Sequence, residues 1–237
     1  MSAILEAPPE RQGAEQEPES QPVGDTFLLR GMSWAFYEHL LAELGDRPIR
    51  VTYDRGDLEL MSPSYRHERG GCLLGGFVEI VLEEIDRSGI RAKSTTLRRA
   101  DLQQGLEPDD CFWIENVESV IDREEIDLNV DPPPDLVIEM DVTRRSLNRL
   151  GIYAALRVPE VWRHAKNAVH VYRLNDRGEY DVLDYSPTFP FLPIAKLAEF
   201  IASRRKQDDI RLRREFRAWL RAEVLPKLNQ PEQTEGD

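Results

Sequence analysis

Apolar residues recur every third or fourth position in some segments and every second position in others, and this change of period predicts a succession of helices and strands. Ser33 is a suitable N-cap for a helix over 34–44, whose apolar residues share one face, and Gly45 would end it. Strict alternation on both sides of Arg55-Gly56 predicts a β-hairpin. A longer amphipathic helix is expected over 67–87.

The rest of the chain continues this interleaving of strands with helices. The segment PPPDLVIEMDV is a short, almost continuous apolar run bounded by prolines, which is typical of a central strand covered on both faces. The whole pattern predicts one mixed α/β domain. The other predicted elements are a strand over 90–98, a strand in CFWI, a helix in VESVIDREEID, a helix over 146–156, strands in EVWRH, VHVYRL and YDVLDY, and two C-terminal helices.

The amino-acid composition indicates the boundaries of the folded domain and the class of protein. Residues 1–25 are acidic and rich in Pro and Gln, which predicts a disordered tail, and 226–237 resemble them, so the folded domain is expected over 26–225. With only Cys72 and Cys111, neither a disulfide framework nor a zinc knuckle is expected. No window approaches the ~18 uninterrupted apolar residues of a membrane helix. A cytoplasmic protein is the simplest expectation.

The formal net charge of -13 is unfavourable for an enzyme that acts on nucleic acid, because phosphate-binding surfaces normally rely on Lys and Arg. The distribution of charge changes this picture, since cations are concentrated near the C terminus. Two interpretations remain open: a solvated, arginine-rich helix, which is the more common situation, or a surface that faces DNA. The cationic residues of this stretch are Arg204, Arg205, Lys206, Arg211, Arg213, Arg214, Arg217 and Arg221.

Carboxylates interrupt the predicted central strand. Alternate residues of a strand share a face, so Asp135, Glu139 and Asp141 would point to one side. A buried carboxylate that stays charged and unpaired costs several kcal/mol. Glu139 must therefore be protonated, matched by Arg or Lys, or bound to a metal, and the sequence leaves a structural ion pair and a metal site equally open.

A second acid stands at the start of another strand. In LEPDDCFWI, Asp109 and Asp110 follow a proline that fixes the entry of the chain. If this strand neighbours the one that carries Glu139, oxygens from both would suit a hard cation such as Mg²⁺. Such an ion polarises a phosphoryl group and activates a water molecule.

Four motifs in a fixed order carry a resemblance to a known family. They are GDLELMSPSYRHE, LEPDDCFWI, PPPDLVIEMDVTRRS and RLGIYAALRVPEVW. In this order and spacing the chain resembles the Uma-type restriction endonucleases of bacteria, which belong to the PD-(D/E)XK nuclease superfamily, and the resemblance covers roughly residues 30 to 220. It implies a restriction-endonuclease-like mixed β-sheet flanked by α-helices, with C-terminal helices and a metal site at the centre.

The resemblance also implies roles for individual residues. Asp109 matches the acid of the Pro-Asp motif, and Glu139 matches the acid of the second strand. Glu59 and His67 match two further polar positions of the family. From the residues alone, Glu59 is as well explained as an exposed hairpin side chain, and His67 as a helix-start residue with a local hydrogen bond.

The sequence departs from the superfamily pattern at one position. A lysine is expected two residues beyond the second acid, and Asp141 stands there. Many Uma-type sequences carry a lysine on the next helix instead, four residues before a tyrosine, and here that position is Arg149, one turn before Tyr153. Arginine neutralises a carboxylate or stabilises phosphoryl charge, but it is a poor general base.

Two functions follow. In the first, the protein is a metal-dependent DNA endonuclease in which Asp109, Glu139 and Asp141 hold Mg²⁺ or Mn²⁺, Arg149 stabilises the phosphoryl transition state, His67 positions water, and Tyr153 orients Arg149 or contacts a phosphate. A homodimer would suit cleavage of both strands of a duplex. In the second, the protein keeps the nuclease fold as a binding or assembly module, and Arg149 pairs with Glu139 in place of a metal. A hydrolase of small phosphate esters is also compatible with the fold.

Overall fold

The computed structural model describes residues 26–140 and 147–228. The predicted tail over 1–25, most of the predicted tail over 226–237, and Asp141 lie outside the described residues. The last described helix ends at Leu228, a few residues beyond the predicted end of the domain. Among the described helices, none is long and apolar enough to cross a membrane.

Eleven strands and seven α-helices make up the described part of the chain, in the interleaved order that the sequence predicts. A π-helical turn at Leu220–Val224 joins the last two helices. The elements are β1 (Thr26–Leu29), α1 (Trp34–Leu44), β2 (Arg50–Asp54), β3 (Asp57–Met61), α2 (Tyr65–Glu84), β4 (Ile90–Arg91), β5 (Leu97–Arg99), β6 (Gln104–Leu106), β7 (Asp110–Trp113), α3 (Val117–Val120), β8 (Leu136–Met140), α4 (Arg149–Ala155), β9 (Glu160–Ala165), β10 (Ala168–Leu174), β11 (Tyr180–Leu183), α5 (Ile194–Ser203), α6 (Asp209–Trp219) and α7 (Leu225–Leu228).

The strands form two sheets. A five-stranded antiparallel sheet has the order β1-β3-β2-β6-β5, and a six-stranded sheet has the order β11-β10-β9-β8-β7-β4. In the second sheet β8 and β9 are parallel, with α4 in the connection between them, whereas the other neighbours are antiparallel. This mixed sheet buries β8 at its centre, as the continuous apolar run predicts.

Most predicted elements are present, and the differences have local causes. Ser33 caps α1 as predicted, because its side chain accepts the Phe36 N–H at 3.1 Å. The strand expected over 90–98 is interrupted by a turn, in which Lys93 has a φ of 48°, so that β4 and β5 belong to different sheets. The helix expected in VESVIDREEID stops at Val120. Beyond it, the Asp131 carboxylate accepts the Asp127 N–H at 2.9 Å, a side-chain contact that competes with helix continuation.

Helix α2 lies close against the six-stranded sheet, and glycines make this approach possible. A Cβ atom at Gly70 would lie 2.4 Å from Met140 Cε, and one at Gly75 would lie 2.1 Å from Asp110 Oδ2. Leu136 and Ile138 of β8 point into the core between this sheet and α2, α5 and α6, whereas the intervening Val137 belongs to the core beside α4. The two faces of β8 therefore meet different helices, and this arrangement positions the candidate site.

Candidate active site

Neighbouring strands bring the two predicted acids to the same end of the six-stranded sheet. Asp110 of β7 pairs with Ile138 of β8, so Asp109 stands opposite the end of β8. The Asp109 Oδ2 atom accepts the backbone N–H of Met140 at 2.7 Å, and the Asp109 side chain is only 4% exposed. The Pro-Asp segment thus holds its carboxylate against the residue that follows Glu139.

His67 connects helix α2 to this strand end. Its Nε2 atom lies 3.0 Å from the carbonyl oxygen of Met140 and 3.3 Å from Asp109 Oδ2. Because a carbonyl oxygen only accepts hydrogen bonds, the contact requires a proton on Nε2. The helix itself is capped by Ser64, whose hydroxyl accepts the His67 N–H. His67 is therefore a buried bridge between α2, β8 and Asp109 as well as a residue of the first helical turn.

Glu139 and Arg149 form a buried ion pair on the other face of β8. The Nε and Nη2 atoms of Arg149 donate to Glu139 Oε1 at 3.0 and 2.6 Å, and the Tyr153 hydroxyl donates to the same oxygen. Glu139 is 4% exposed and Arg149 is 8% exposed. The structure thus contains the ion pair that the sequence left open for Glu139, with Tyr153 one helical turn beyond Arg149 as expected.

The remaining donors of Arg149 reach the five-stranded sheet. Its Nη1 atom donates to the Thr52 hydroxyl and its Nη2 atom donates to the Glu107 carbonyl at 2.7 Å. Burial opposes the charged form, but the attraction of Glu139 and, less strongly, of Tyr153 and Asp109 outweighs it, so the pKa of the guanidinium is raised above its ordinary value. Arg149 is therefore a permanent cation that joins the two sheets.

Glu59 is buried next to this network. It is 2% exposed and stands directly opposite Thr52 in the β2–β3 ladder. The interpretation of Glu59 as an exposed hairpin side chain is therefore wrong. The fold places it beside the Thr52 hydroxyl that receives Arg149.

A second buried acid has an arginine partner that sequence reasoning missed. Asp110 is 1% exposed, and Arg91 Nε and Nη2 donate to its Oδ2 atom at 2.8 and 2.5 Å. Burial raises the pKa of Asp110, and Arg91 opposes this effect. The adjacent acids of the Pro-Asp-Asp segment thus have different environments: Asp110 faces a cation, and Asp109 faces a histidine and a backbone amide.

A cleft of about 140 Å³ opens beside Asp109. His67 lines it together with three cations, Arg50, Arg91 and Lys93. Arg50 contacts Glu68 at 3.1 Å, whereas the exposed Lys93 ammonium contacts no acid among residues 26–140 and 147–228. The sequence offered no signal for Arg50 or Lys93, because only the fold brings the β2 strand and the β4–β5 turn to the same place.

A second cavity, of about 130 Å³, lies on the Glu139 side of the strand and is lined in part by Arg149, Tyr153 and Arg163. Within the described ranges, no three His, Cys, Asp or Glu side chains surround a common point that could hold a metal ion. Asp141, the third predicted ligand, lies outside those ranges.

Three arginines of the C-terminal stretch serve the packing of helices. Arg213 contacts Glu79 at 3.4 Å, and Arg217 and Arg221 contact Glu84 at 3.2 and 2.6 Å. These glutamates project from α2, so one side of α6 and of the π-helical turn that follows it forms a seam of ion pairs with α2. For these three arginines the structure favours the interpretation without DNA.

The fold and the carboxylates at the ends of its adjacent strands define a nuclease-like α/β domain. The family model described as "Uma2: Putative restriction endonuclease" matches residues 34–202, most of the chain, so the chain belongs to the Uma2 restriction endonuclease family. This membership confirms the predicted family and its restriction-endonuclease-like fold class. The chain is also similar to a crystal structure from Anabaena variabilis described as "a putative nuclease belonging to DUF820", with 18% identity over 64% of this chain and 90% of that chain and a TM-score of 0.45. No curated protein matches the chain.

Proposed function

We propose that the protein is a nuclease that hydrolyses DNA phosphodiester bonds in the cleft beside Asp109. Family membership supports nuclease chemistry, and the observation that carries the location is the cleft itself, where Asp109 and His67 stand beside Lys93 and two ion pairs, Arg50–Glu68 and Arg91–Asp110. Lys93, whose ammonium has no acidic partner in the described chain, and Arg50 are suited to bind a phosphate group. A homodimer is the proposed form for cleavage of both strands of a duplex.

We propose Mg²⁺ or Mn²⁺ as the cofactor, with Asp109, Glu139 and Asp141 as its ligands. Hard carboxylate oxygens are the donors that these ions prefer, and a bound ion would polarise the phosphoryl group and activate water. The described residues alone do not complete such a site, because one oxygen of Glu139 already accepts from Arg149 and Tyr153.

Side chains on the two sides of β8 have different proposed roles. His67 and the Met140 amide hold the Asp109 carboxylate at the wall of the cleft. Arg149 balances the charge of Glu139 and fixes its orientation. Stabilisation of phosphoryl charge by Arg149, and the positioning of water by His67, stay predictions.

The decisive experiment is cleavage of supercoiled plasmid and single-stranded circular DNA with Mg²⁺, Mn²⁺ or EDTA, comparing wild type with Asp109→Asn. Asparagine keeps an oxygen that can accept the Met140 N–H, so the fold should survive while the carboxylate is lost. Asp176→Ala, which removes an exposed acid in the β10–β11 turn, is the matched control. We expect metal-dependent cleavage that persists in the control and disappears in Asp109→Asn. Full activity of Asp109→Asn would refute the assignment.

The Arg149–Glu139 pair specifically favours a second candidate function, a nuclease-fold protein that binds DNA or a protein partner without turnover. A guanidinium beside Glu139 supplies the positive charge that a metal would otherwise bring. Calorimetric titration of the wild type and of Glu139→Gln with Mn²⁺ separates the two candidates. A binding site that disappears in Glu139→Gln supports the nuclease, whereas no Mn²⁺ binding together with no cleavage supports the binding module.

A further inference from the structure

Four arginines meet at the corner where the first turns of α2 approach the end of α5. We call Arg66, Arg69, Arg204 and Arg205 the arginine corner. Arg69 donates to Asp209 Oδ1 at 2.8 Å and to the Gln207 carbonyl at 2.9 Å. In the described part of the chain, the other three arginines contact no carboxylate within ion-pair distance. The corner therefore holds more positive charge than its neighbours balance.

Arg204 shows how closely the four cations approach one another. It is 9% exposed, and its Nη1 atom donates to the Ile201 carbonyl at 2.6 Å rather than to an acid. Burial, followed by repulsion from Arg205, Arg66 and Arg69, lowers the pKa of its guanidinium. Like charges held together without acids are destabilising unless an anion binds to them.

The corner also adjoins the candidate active site. The Arg204 Nε atom lies 3.9 Å from the position of a Cβ on Gly70, and the Met140 side chain reaches the same position. The Met140 carbonyl in turn contacts His67, which lines the cleft beside Asp109. Arg66 precedes His67 on the same helical turn and is exposed. Arg66 and Gly70 are thus the sequence neighbours of His67 and Gly71, which line the cleft, so the arginine corner lies beside the cleft on the first turns of α2.

We propose that the arginine corner binds the phosphodiester backbone of DNA next to the bond that is cleaved. The inference rests on the proposed nuclease function and adds the surface that holds the substrate. Its chemistry fits: arginines are the preferred partners of phosphate, and a protein of net charge -13 needs a local cationic surface to approach a polyanion. Backbone contacts of this kind position DNA without reading its sequence.

The test is binding of a short fluorescent duplex, followed by anisotropy in EDTA over a range of KCl concentrations. The test variant is Arg66→Ala/Arg205→Ala, because both side chains are exposed and make no contact that the fold requires. The control is Arg30→Ala/Arg177→Ala, which removes two exposed arginines, one beyond β1 and the other in the β10–β11 turn. Circular dichroism checks that each variant is folded.

We expect the corner variant to bind about tenfold more weakly at low salt and to reduce the slope of log affinity against log salt by about 2, one for each lost phosphate contact. The control should stay close to wild type. Equal effects of the two double variants, an unchanged corner variant, or a wild type that does not bind DNA would each overturn the proposal.

Because binding is measured without metal, its outcome is separate from that of cleavage. A wild type that binds through the corner but never cleaves contradicts the proposed hydrolysis and supports the corner. If cleavage requires Asp109 but the corner variant binds DNA as the wild type does, the proposed hydrolysis is supported and the arginine corner is refuted as the DNA-binding surface.

Discussion

The end of strand β8 separates two groups of arginine that differ in how their charge is balanced. On one face, Arg149 is buried and directs its donors to Glu139, Tyr153, Thr52 and the Glu107 carbonyl. On the other side, the arginine corner has a carboxylate for only one of its four members in the described chain. The same residue type thus completes an internal network in one place and leaves uncompensated charge in the other.

This difference indicates which arginines are structural and which are available to an external anion. Where all donors of a guanidinium have internal partners, an external anion adds little binding energy, and removal of one partner strongly lowers the stability of the fold. A guanidinium without an acidic partner is available to bind an anion, and its substitution changes the stability of the fold only slightly. Stability and DNA binding should therefore respond in opposite ways to changes in the two groups.

The largest effect is expected from Glu139→Gln. Glutamine keeps the shape of the side chain but leaves Arg149 as a buried cation without its counter-charge, and loss of one partner of a buried pair costs about 3–5 kcal/mol. Urea unfolding followed by circular dichroism measures the loss. The control is Glu179→Gln, which alters an exposed pair with Arg177 at 3.8 Å. A loss of less than about 1 kcal/mol, typical of an exposed pair, would contradict the distinction between the two groups.

A smaller loss is expected from Arg149→Lys, which introduces the residue type that the resemblance implies at this position. The ammonium keeps the charge next to Glu139, but it has three donors on one atom and cannot also reach Thr52 and the Glu107 carbonyl. The Glu107 carbonyl then loses this donor at a cost of about 1–3 kcal/mol, whereas the Thr52 hydroxyl can rotate and donate instead, so the variant should be less stable than wild type but more stable than Glu139→Gln. Urea unfolding of both variants under the same conditions tests this order, and a reversed order would contradict it.

Local patterns predicted much of this architecture, and they identified the buried strand that carries the candidate residue Glu139. Alternation along β8 was sufficient to place Glu139 on a buried face and to require a proton, a cation or a metal beside it. The N-cap of α1 and the β2–β3 hairpin also depend on residues that are close in sequence. Interactions of this range are the ones that a single sequence reveals.

The partners of the buried charges could not be predicted, because they come from distant segments. Arg91 meets Asp110 only because β4 joins the edge of the six-stranded sheet, and Lys93 reaches the cleft through the turn that follows. The sequence showed the positive charge of the C-terminal stretch, but it did not show which of the arginines are paired with acids. Glutamates of α2 neutralise one side of α6, and nothing in the local sequence of α6 indicates which arginines they reach.

A pH-dependent effect is expected at the seam between α2 and α6. The hydrogen bond from Arg221, opposed by partial burial, lowers the pKa of Glu84 below its ordinary value of 4.5. A carboxylate whose pKa is lower in the folded state stabilises the fold above the pKa of the unfolded state, and this contribution is lost as the pH falls through the folded value. Glu84→Gln should therefore lower the melting temperature slightly at pH 7, and this difference should shrink as the pH falls below 4.5. A difference that stays the same as the pH falls would show that the seam acts through packing rather than charge.

The smallest effect, and one of opposite sign, is expected at the arginine corner. Arg205→Ala removes a cation that faces Arg204 and other arginines and has no acid of its own in the described chain. Its stability should stay within about 0.5 kcal/mol of wild type, with a slight increase at low salt that disappears as salt screens the repulsion. Thermal unfolding of wild type and variant at low and high KCl measures this difference, with Arg177→Ala as the control. If Arg205→Ala destabilised the protein as a change at the Glu139 centre does, the corner would have an internal partner, and the case for an external phosphate would lose its basis.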